Sequence, residues 1–246
     1  MSTDLVQIKT ESLHDGKNNI PQWGMAIDLD RCSGCEACVI ACHAENNIPL
    51  SDEIAASEGR TNHWLRIDRY YEGEFPNIKV KFRPVMCQQC DDAPCEPVCP
   101  VYATYQNKEG LNVQVYNRCI GTRYCANNCP YTVRFFNWYD PVWPEELKLQ
   151  LNPDVSVRPG GVMEKCTFCV QRIQQGKREA RADGRDIADG DIQPACVQSC
   201  PAEAMVFGDL TDKDSKVTQW SQSGRSQQLL AELGTKPRVF YLEKGE

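Results

Sequence analysis

Short runs rich in β-branched and aromatic residues, several alternating between apolar and polar positions, are spread along the chain and predict β-strands. They cover Gly24–Leu29, His63–Tyr71, Ile78–Val85, Leu111–Tyr116, Val133–Trp138, Ala204–Leu210 and Val239–Leu242. Glu36–Ala44 and Lys165–Ala180 have the composition of helices, and the amphipathic stretch Arg225–Leu233 predicts a further helix. Short strands that alternate with short helices indicate an α+β fold.

Two stretches interrupt this pattern. Residues 139–164 are rich in proline and predict a connector. After Cys169 the chain continues as a basic helix and then as the Asp/Gly loop Asp183–Asp191. The basic residues of the helix are Arg172, Lys177, Arg178 and Arg181. A solvated surface is the simpler interpretation of these charges, and docking onto an acidic partner is the alternative.

The charge balance narrows the function classes. The 246 residues include 27 Lys and Arg against 34 Asp and Glu, a net charge of −7, which gives no support for a nucleic-acid partner. No segment approaches the about 18 consecutive apolar residues of a membrane-spanning helix. The stretch Met1–Trp23 is polar, so we expect neither a secretory signal nor a twin-arginine pair there.

Cysteine is the unusual feature of the composition, with 15 residues against a much lower ordinary usage. The cysteines fall into four groups, each of which ends in C-x₃-C. The groups are Cys32, Cys35, Cys38 and Cys42; Cys87, Cys90, Cys95 and Cys99; Cys119, Cys125 and Cys129; and Cys166, Cys169, Cys196 and Cys200. Proline follows the last cysteine of three groups, at Pro100, Pro130 and Pro201.

The run C-x₂-C-x₂-C-x₃-C-P is the spacing with which bacterial ferredoxins hold iron–sulfur cubanes. Three thiolates surround one face of the cube, and the fourth points away and ligates the other cluster of the pair. Proline then ends the helix because it lacks an amide hydrogen. The four groups therefore indicate iron–sulfur clusters.

Other uses of cysteine explain the pattern less well. A disulfide framework is typical of short secreted chains with an even cysteine count. Structural zinc would need two C-x₂-C pairs for each site and leaves the C-x₃-C-P endings unexplained. Covalent haem needs C-x-x-C-H, and the stretch Cys38–His43 has one residue too many. A Rieske centre needs two histidine ligands, whereas His14, His43 and His63 are interpreted as surface residues or neighbours of the ligands.

The first and third cysteine groups are related by an internal repeat. Residues 30–38 align with residues 117–125 without a gap, so that an arginine, two cysteines and a glycine coincide. Thr122 stands opposite Cys35. The second and fourth groups also match each other and differ in the length of the spacer, residues 91–94 against residues 170–195. The chain therefore looks like two merged two-cluster ferredoxins, one with a long insertion.

The four groups, their C-P endings and the segment Lys165–Cys169 resemble the electron-transfer subunits of the dimethyl-sulfoxide-reductase and polysulfide-reductase type, over roughly residues 22–210. The resemblance implies two fused bacterial-type ferredoxin domains. One consists of residues 22–80 and 139–210 and carries the first and fourth cysteine groups. The other, residues 81–138, is inserted into it and carries the second and third groups. Residues 211–246 form a C-terminal extension.

In that family the subunit links a molybdopterin-type catalytic subunit to an integral membrane subunit that handles quinone. The third cysteine group, with Thr122 in place of a cysteine, resembles the iron–sulfur parts of alternative complex III and of the bacterial quinone-reductase complex. In those complexes a multihaem cytochrome c participates, and the molybdopterin-type subunit can lack its cofactor. A separate chain of this length favours the quinone-reductase complex. Family members without a signal are often exported with a partner, which implies peripheral attachment at the periplasmic face. The cytoplasmic face is the alternative.

The resemblance also implies which cysteines act together. Cys32, Cys35, Cys38 and Cys200 (the first site), Cys42, Cys166, Cys169 and Cys196 (the second site), and Cys87, Cys90, Cys95 and Cys129 (the third site) would each hold a 4Fe–4S cluster. Cys99, Cys119 and Cys125 remain around Thr122 (the fourth site) and suit a 3Fe–4S cluster. The alternative there is a 4Fe–4S cluster whose fourth iron takes threonine oxygen or water. A hydroxyl is a poor ligand because it is hardly deprotonated, whereas a thiol near a metal is.

Three 4Fe–4S clusters and one 3Fe–4S cluster would carry single electrons. The sequence has no nucleophile–base motif, P-loop or G-x-G-x-x-G, so we expect an electron-transfer subunit of an oxidoreductase complex rather than an enzyme on its own. A soluble polyferredoxin and a self-contained cluster enzyme are the alternatives. Four basic residues beside ligand cysteines either raise local potentials or are plain solvated charges. They are Arg31, Arg118, Arg123 and Lys165.

Overall fold

The structure, a computed structural model, describes residues 20–243. The expectation about an export signal in Met1–Trp23 therefore falls mostly outside the described residues, as does His14. Among residues 20–243, no helix is both long enough and apolar enough to cross a membrane.

The described residues form short strands and mostly short helices. The strands are β1 (Trp23–Asp28), β2 (Leu65–Glu72), β3 (Lys79–Met86), β4 (Thr104–Gln106), β5 (Asn112–Gln114), β6 (Phe135–Phe136), β7 (Met163–Glu164), β8 (Met205–Asp209), β9 (Ser226–Gln228) and β10 (Val239–Leu242). The α-helices are α1 (Ala37–Glu45), α2 (Glu53–Ser57), α3 (Tyr124–Asn127), α4 (Val170–Ala182), α5 (Ala195–Gln198) and α6 (Lys216–Ser221). Single stretches of 3₁₀ helix cover Tyr116–Arg118, Glu145–Gln150 and Ala231–Leu233. The α+β fold class predicted from the sequence is confirmed.

The central sheet has the strand order β8-β1-β10-β9. In it β1 pairs antiparallel with β8 and parallel with β10, so that Met25 lies opposite both Phe207 and Val239. All six residues of β1 are buried, as expected for a strand with neighbours on both edges. Trp23 stacks on Phe207 with ring centroids 5.4 Å apart. Phe207 also meets the ring of Phe168 edge to face, which joins the core of the sheet to a cysteine loop.

The predicted helix over Arg225–Leu233 is wrong. Ser226–Gln228 is instead β9, which pairs antiparallel with β10. Leu230 and Gly234 have positive φ angles, 52° and 66°, and such left-handed residues end a regular helix. The open edge of β10 offers backbone hydrogen bonds to the segment, and this tertiary pairing overrides the local amphipathic pattern.

Three further pairs of strands are two-stranded antiparallel sheets: β2 with β3, β4 with β5, and β6 with β7. The long pair runs from Leu65 opposite Met86 to Glu72 opposite Lys79, close to the predicted strands. The sequence pattern missed β4 and β7 because strands of three and two residues are too short for a recognisable period. The short helices α2 and α6 were missed for the same reason.

The connector, residues 139–164, ends inside the protein. Arg158 and Glu164 are 1% and 0% exposed, and the Arg158 Nε lies 2.8 Å from Glu164 Oε1. Glu164 also accepts a hydrogen bond from the Trp64 indole nitrogen at 2.9 Å, and Arg158 donates to the carbonyl oxygen of Asn46 at 2.7 Å. Because a buried charge is tolerated only when paired, this ion pair anchors the connector to the segments that carry the first cysteine group.

Helix α4 begins later than predicted, because Phe168 and Cys169 have positive φ angles of 55° and 53° and belong to the cysteine loop. Two of its basic residues have partners on other segments. Arg172 pairs with Glu45 of α1, and Lys177 pairs with Glu109. These two ion pairs hold the long insertion against the segments that follow the first and the second cysteine groups. The two basic side chains are therefore not free for an acidic partner.

Candidate metal centres

The internal repeat has the same backbone conformation in both copies. Gly34 and Gly121 have φ angles of 69° and 73°, and Glu36 and Arg123 have φ angles of 63° and 62° directly before α1 and α3. Glycine is required at the first position for a second reason. A Cβ on Gly34 would lie 2.4 Å from the Phe82 ring, and one on Gly121 would lie 2.4 Å from a backbone carbonyl oxygen.

The second pair of cysteine groups repeats in the same way. Gln89 and Phe168 occupy equivalent positions between the first two cysteines of each group and have φ angles of 49° and 55°. The Gln89 side chain donates to the Cys166 carbonyl oxygen at 3.0 Å, which ties the two loops together. Its amide oxygen accepts from the backbone nitrogen of Asn112 at 2.9 Å.

The C-P endings form a further repeated structure. In each of the three endings, the residue four positions after the cysteine donates a hydrogen bond from its backbone amide to the cysteine sulfur. The residue directly before this donor has a positive φ angle. The amide–sulfur pairs are Ala103 with Cys99 at 3.1 Å, Ala204 with Cys200 at 3.3 Å, and Val133 with Cys129. Hydrogen bonds to sulfur favour the ionised thiolate and are one of the influences that set the potential of a cluster.

The structure places the cysteines of the first site near one another and does the same for those of the second. Burial and the neighbouring thiols of Cys32, Cys200 and Cys35 raise the pKa of Cys38 to about 12. Burial and the thiols of Cys166, Cys169 and Cys196 raise the pKa of Cys42 well above its ordinary value. The Asn46 amide donates towards two sulfurs of the second site, at 3.6 Å to Cys42 and 3.7 Å to Cys169.

The cysteines of the third site line one cavity, together with Asn112, Tyr131 and Arg134. Burial and the thiols of Cys87, Cys95 and Cys129 raise the pKa of Cys90 to about 12. Thr235, from the segment before β10, opposes this rise with a hydrogen bond to the Cys90 sulfur. The C-terminal extension therefore supplies a contact to the third site as well as two strands to the central sheet.

The fourth site contains three thiols. Burial raises the pKa of Cys125, and the thiols of Cys119 and Cys99 add to the rise. The backbone amide of Met163 donates to the Cys119 sulfur at 3.4 Å. Thr122 is exposed, as is Cys35 at the equivalent position of the first site.

These thiol sets fit iron–sulfur clusters. All fifteen cysteines lie within residues 20–243 and each is a free thiol. In the same described range, no three His, Cys, Asp or Glu side chains are placed so that they could hold a single metal ion. Buried thiols that raise one another's pKa need positive charge among them before all can ionise, and bound iron supplies that charge.

The basic residues near the sites differ sharply in exposure. Arg31, Arg118 and Arg123 are exposed, whereas Lys165 is 0% exposed. Arg134, which sequence reasoning missed, is 5% exposed and acts on thiols of both the third and the fourth site. Arg134 lies five residues beyond Cys129 and outside the cysteine spacing pattern, so the sequence did not indicate this placement.

The repeated loops and the buried thiol sets define a ferredoxin-type iron–sulfur protein. The 4Fe-4S dicluster domain family matches this chain twice, over residues 31–103 and over residues 78–144. The two matches overlap in the second cysteine group, and together they include the first three groups.

Three relatives match this chain over nearly its whole length. The chain is 47% identical over 230 residues to the iron–sulfur cluster-binding subunit of menaquinone reductase from Nitratidesulfovibrio vulgaris, covering 92% of this chain and 90% of that protein. It is 37% identical over 247 residues to the iron–sulfur subunit of arsenate respiratory reductase from a Shewanella species, covering 89% and 95%. It is 36% identical over 242 residues to an iron–sulfur subunit of the Hdr-like menaquinol oxidoreductase from Archaeoglobus fulgidus, covering 91% and 84%.

The chain belongs to the family of ferredoxin-type iron–sulfur subunits of the dimethyl-sulfoxide-reductase type. It is an iron–sulfur electron-transfer subunit of an oxidoreductase complex. The family and the function predicted from the cysteine spacing are thus confirmed.

Proposed function

We propose that the chain holds three 4Fe–4S clusters and one 3Fe–4S cluster and relays single electrons between a partner redox subunit and a quinone site. The observation that carries this proposal is the contrast in thiol number. The first, second and third sites each gather four thiols, and the fourth gathers three beside an exposed threonine. Bound clusters would supply one-electron chemistry, and the chain's own amides and buried cations orient and stabilise the thiolates.

The proposed ligands are those assigned above to the four sites. Two strand pairings support the proposed division into two ferredoxin domains, whereas β3 extends across the boundary at residues 80–81 and β6 pairs with β7 across the boundary at residues 138–139. Strand β1, before the first cysteine group, pairs with β8, after the fourth group. The hairpin of β4 and β5 lies between the second and third groups, within the proposed inserted domain, residues 81–138.

The proposed partners are an integral membrane subunit that binds quinone and a molybdopterin-type subunit, with a multihaem cytochrome c as a further redox partner. The relative from Nitratidesulfovibrio vulgaris is a subunit of menaquinone reductase, which supports quinone. Beside the fourth site, Ile120 and Tyr124 are 63% and 59% exposed. An apolar surface at a three-thiol site supports contact with the membrane subunit there.

Metal analysis of the intact, anaerobically prepared complex tests the cluster count. We expect about fifteen irons per chain and no zinc. The oxidised protein should show a paramagnetic 3Fe–4S signal, and 4Fe–4S signals should appear only on reduction. Stoichiometric zinc with little iron, or an oxidised protein without the 3Fe signal, would contradict the proposal.

Purification from native membranes tests the partners. We expect the chain to co-elute with a membrane subunit that binds quinone and to sediment with membranes through that subunit. A chain that purifies alone and stays in the supernatant would instead support a soluble polyferredoxin. Substrate turnover by the isolated chain would support a self-contained enzyme.

The proposed location is the periplasmic face, reached by export together with a partner. Protease added to intact spheroplasts should then degrade the chain. Degradation only in inverted vesicles would place the complex on the cytoplasmic face.

A further inference from the structure

Arg134 lines the cavity of the third site and also reaches the fourth. Its charge acts on Cys95, Cys87 and Cys129 of the third site and on Cys125 of the fourth. It also donates a hydrogen bond to the Cys125 sulfur. The sequence alone does not reveal this position, because these thiols come from two different cysteine groups, the second and the third.

The side-chain oxygens that accept hydrogen bonds from Arg134 are neutral. They belong to Gln114 at 3.0 Å, Thr104 at 2.6 Å and Asn112 at 2.6 Å. Asn112 in turn donates to Glu96 Oε1 at 2.7 Å, so an amide links the guanidinium to this carboxylate. When clusters are bound, the ligating thiolates of the third and fourth sites would place negative charge beside the Arg134 guanidinium.

Lys165 is a second buried cation that acts on the third site. It is 0% exposed, its Nζ donates to the Cys166 carbonyl oxygen at 2.9 Å, and it acts on Cys166 of the second site and Cys95 of the third. Two buried cations thus act on the third site. The exposed Arg123, near the fourth site, rests instead over the rings of Phe136 and Trp138.

We propose that Arg134 is a positioning residue that sets the reduction potentials of the third and fourth sites together, by stabilising the negative charge that each gains on reduction. This inference rests on the proposed four-site assignment. A fixed charge inside the protein acts over several ångströms with little screening, whereas an exposed charge is screened by solvent. One cation shared by two sites keeps both easy to reduce, which suits consecutive steps of one electron path.

Spectroscopic redox titration of the complete complex tests the proposal. Arg134→Gln should change the one-electron reduction equilibria of the third and fourth sites at least tenfold, which lowers each potential by about 59 mV or more. The potentials of the first and second sites should stay unchanged. Lys165→Gln should instead move the second and third sites and leave the fourth unchanged. Arg134→Lys keeps the charge and should restore most of the shift.

A second variant tests the same charge without removing the arginine. Gln114→Glu places a carboxylate on the atom that already accepts from Arg134, so the neutralised pair should lower the same two potentials. Arg123→Gln is the matched exposed control and should change the one-electron reduction equilibrium of the fourth site less than threefold. Iron content and circular dichroism of each variant verify that all clusters are retained.

Unchanged potentials of the third and fourth sites in both Arg134→Gln and Gln114→Glu would overturn the inference, as would an equal shift of all four sites. If Arg134→Gln loses iron, Gln114→Glu decides. A wild-type complex without a 3Fe signal, or with fewer than four one-electron centres, would instead overturn the four-site assignment itself. The two failures are therefore distinguishable.

Discussion

The loops that contain Cys32–Cys42 and Cys119–Cys129 follow the same backbone course but gather different numbers of thiols. In both, a glycine with positive φ and a left-handed residue precede a short helix. They differ at Cys35 and Thr122, which are both exposed. The shape of the loop therefore depends on its glycine and its helix start, and the ligand count can change by one residue without a change of fold.

The same comparison separates two kinds of positive charge. Beside the first loop, Arg31 is exposed, pairs with Asp28 and lies over the Trp220 ring. Beside the second loop, Arg134 is buried among thiols and neutral side chains. Only the buried cation escapes solvent screening, so the two loops differ in their electrostatic surroundings more than in their backbone.

Removal of iron should have the largest effect, because it tests whether the two loops keep their shared shape without clusters. Burial and neighbouring thiols raise the pKa values of Cys38, Cys90 and Cys166 to about 12, so these thiols are protonated in the apo-protein at neutral pH. Because protonated thiols without iron add no binding free energy, cluster binding should supply much of the folding free energy. We expect the apo-protein to lose its cooperative thermal unfolding transition, as measured by circular dichroism. An apo-chain that melts cooperatively near the holo-protein would contradict this.

Glycine substitutions in the two loops should come next. Gly121→Ala places a methyl group 2.4 Å from the Gly161 carbonyl oxygen, whereas Gly34→Ala meets the movable ring of Phe82. Left-handed strain costs about 1–2 kcal/mol, and a clash with backbone adds about 1–3 kcal/mol. Gly121→Ala should therefore lower the free energy of unfolding in anaerobic urea titrations by about 2–5 kcal/mol, more than Gly34→Ala.

Gly184→Ala is the matched control for this series. Gly184 has a φ of 66° and nothing within 4 Å of the position of its Cβ, so it carries the strain without the clash. It should lose only about 1–2 kcal/mol. Equal losses at Gly184 and Gly121 would mean that the close approach in the loop has no energetic weight.

Exchange of the residues at the differing position should interconvert the two loops. Thr122→Cys restores a fourth thiol, so the 3Fe signal of the oxidised protein should fall from about one per chain to none, with a lower potential at that site. Cys35→Thr should add a second 3Fe signal. Electron paramagnetic resonance with spin quantitation measures both. Spectra that stay unchanged in Thr122→Cys would exclude the assigned ligand position.

Sequence alone predicted the parts of the molecule that depend on local pattern. The span of β10, Val239–Leu242, was predicted to the residue, and the cysteine spacing indicated the family. It could not place Ser226–Gln228, whose strand exists because β10 is available beside it. Nor could it find Arg134, since its role depends on thiols of the second and third cysteine groups, which only tertiary folding brings around one side chain.

Thr122→Val should have the smallest effect, and that small effect distinguishes the two possible forms of the fourth site. Thr122 is exposed, so the substitution should change the free energy of unfolding by no more than about 0.5 kcal/mol. A 3Fe–4S cluster held by Cys99, Cys119 and Cys125 has no oxygen ligand to lose. Its signal and iron content should therefore match those of the wild type, and Thr122→Ser, which keeps the hydroxyl, should behave in the same way. If the threonine oxygen held a fourth iron, valine would release that iron, and a 3Fe signal would appear in Thr122→Val but not in Thr122→Ser.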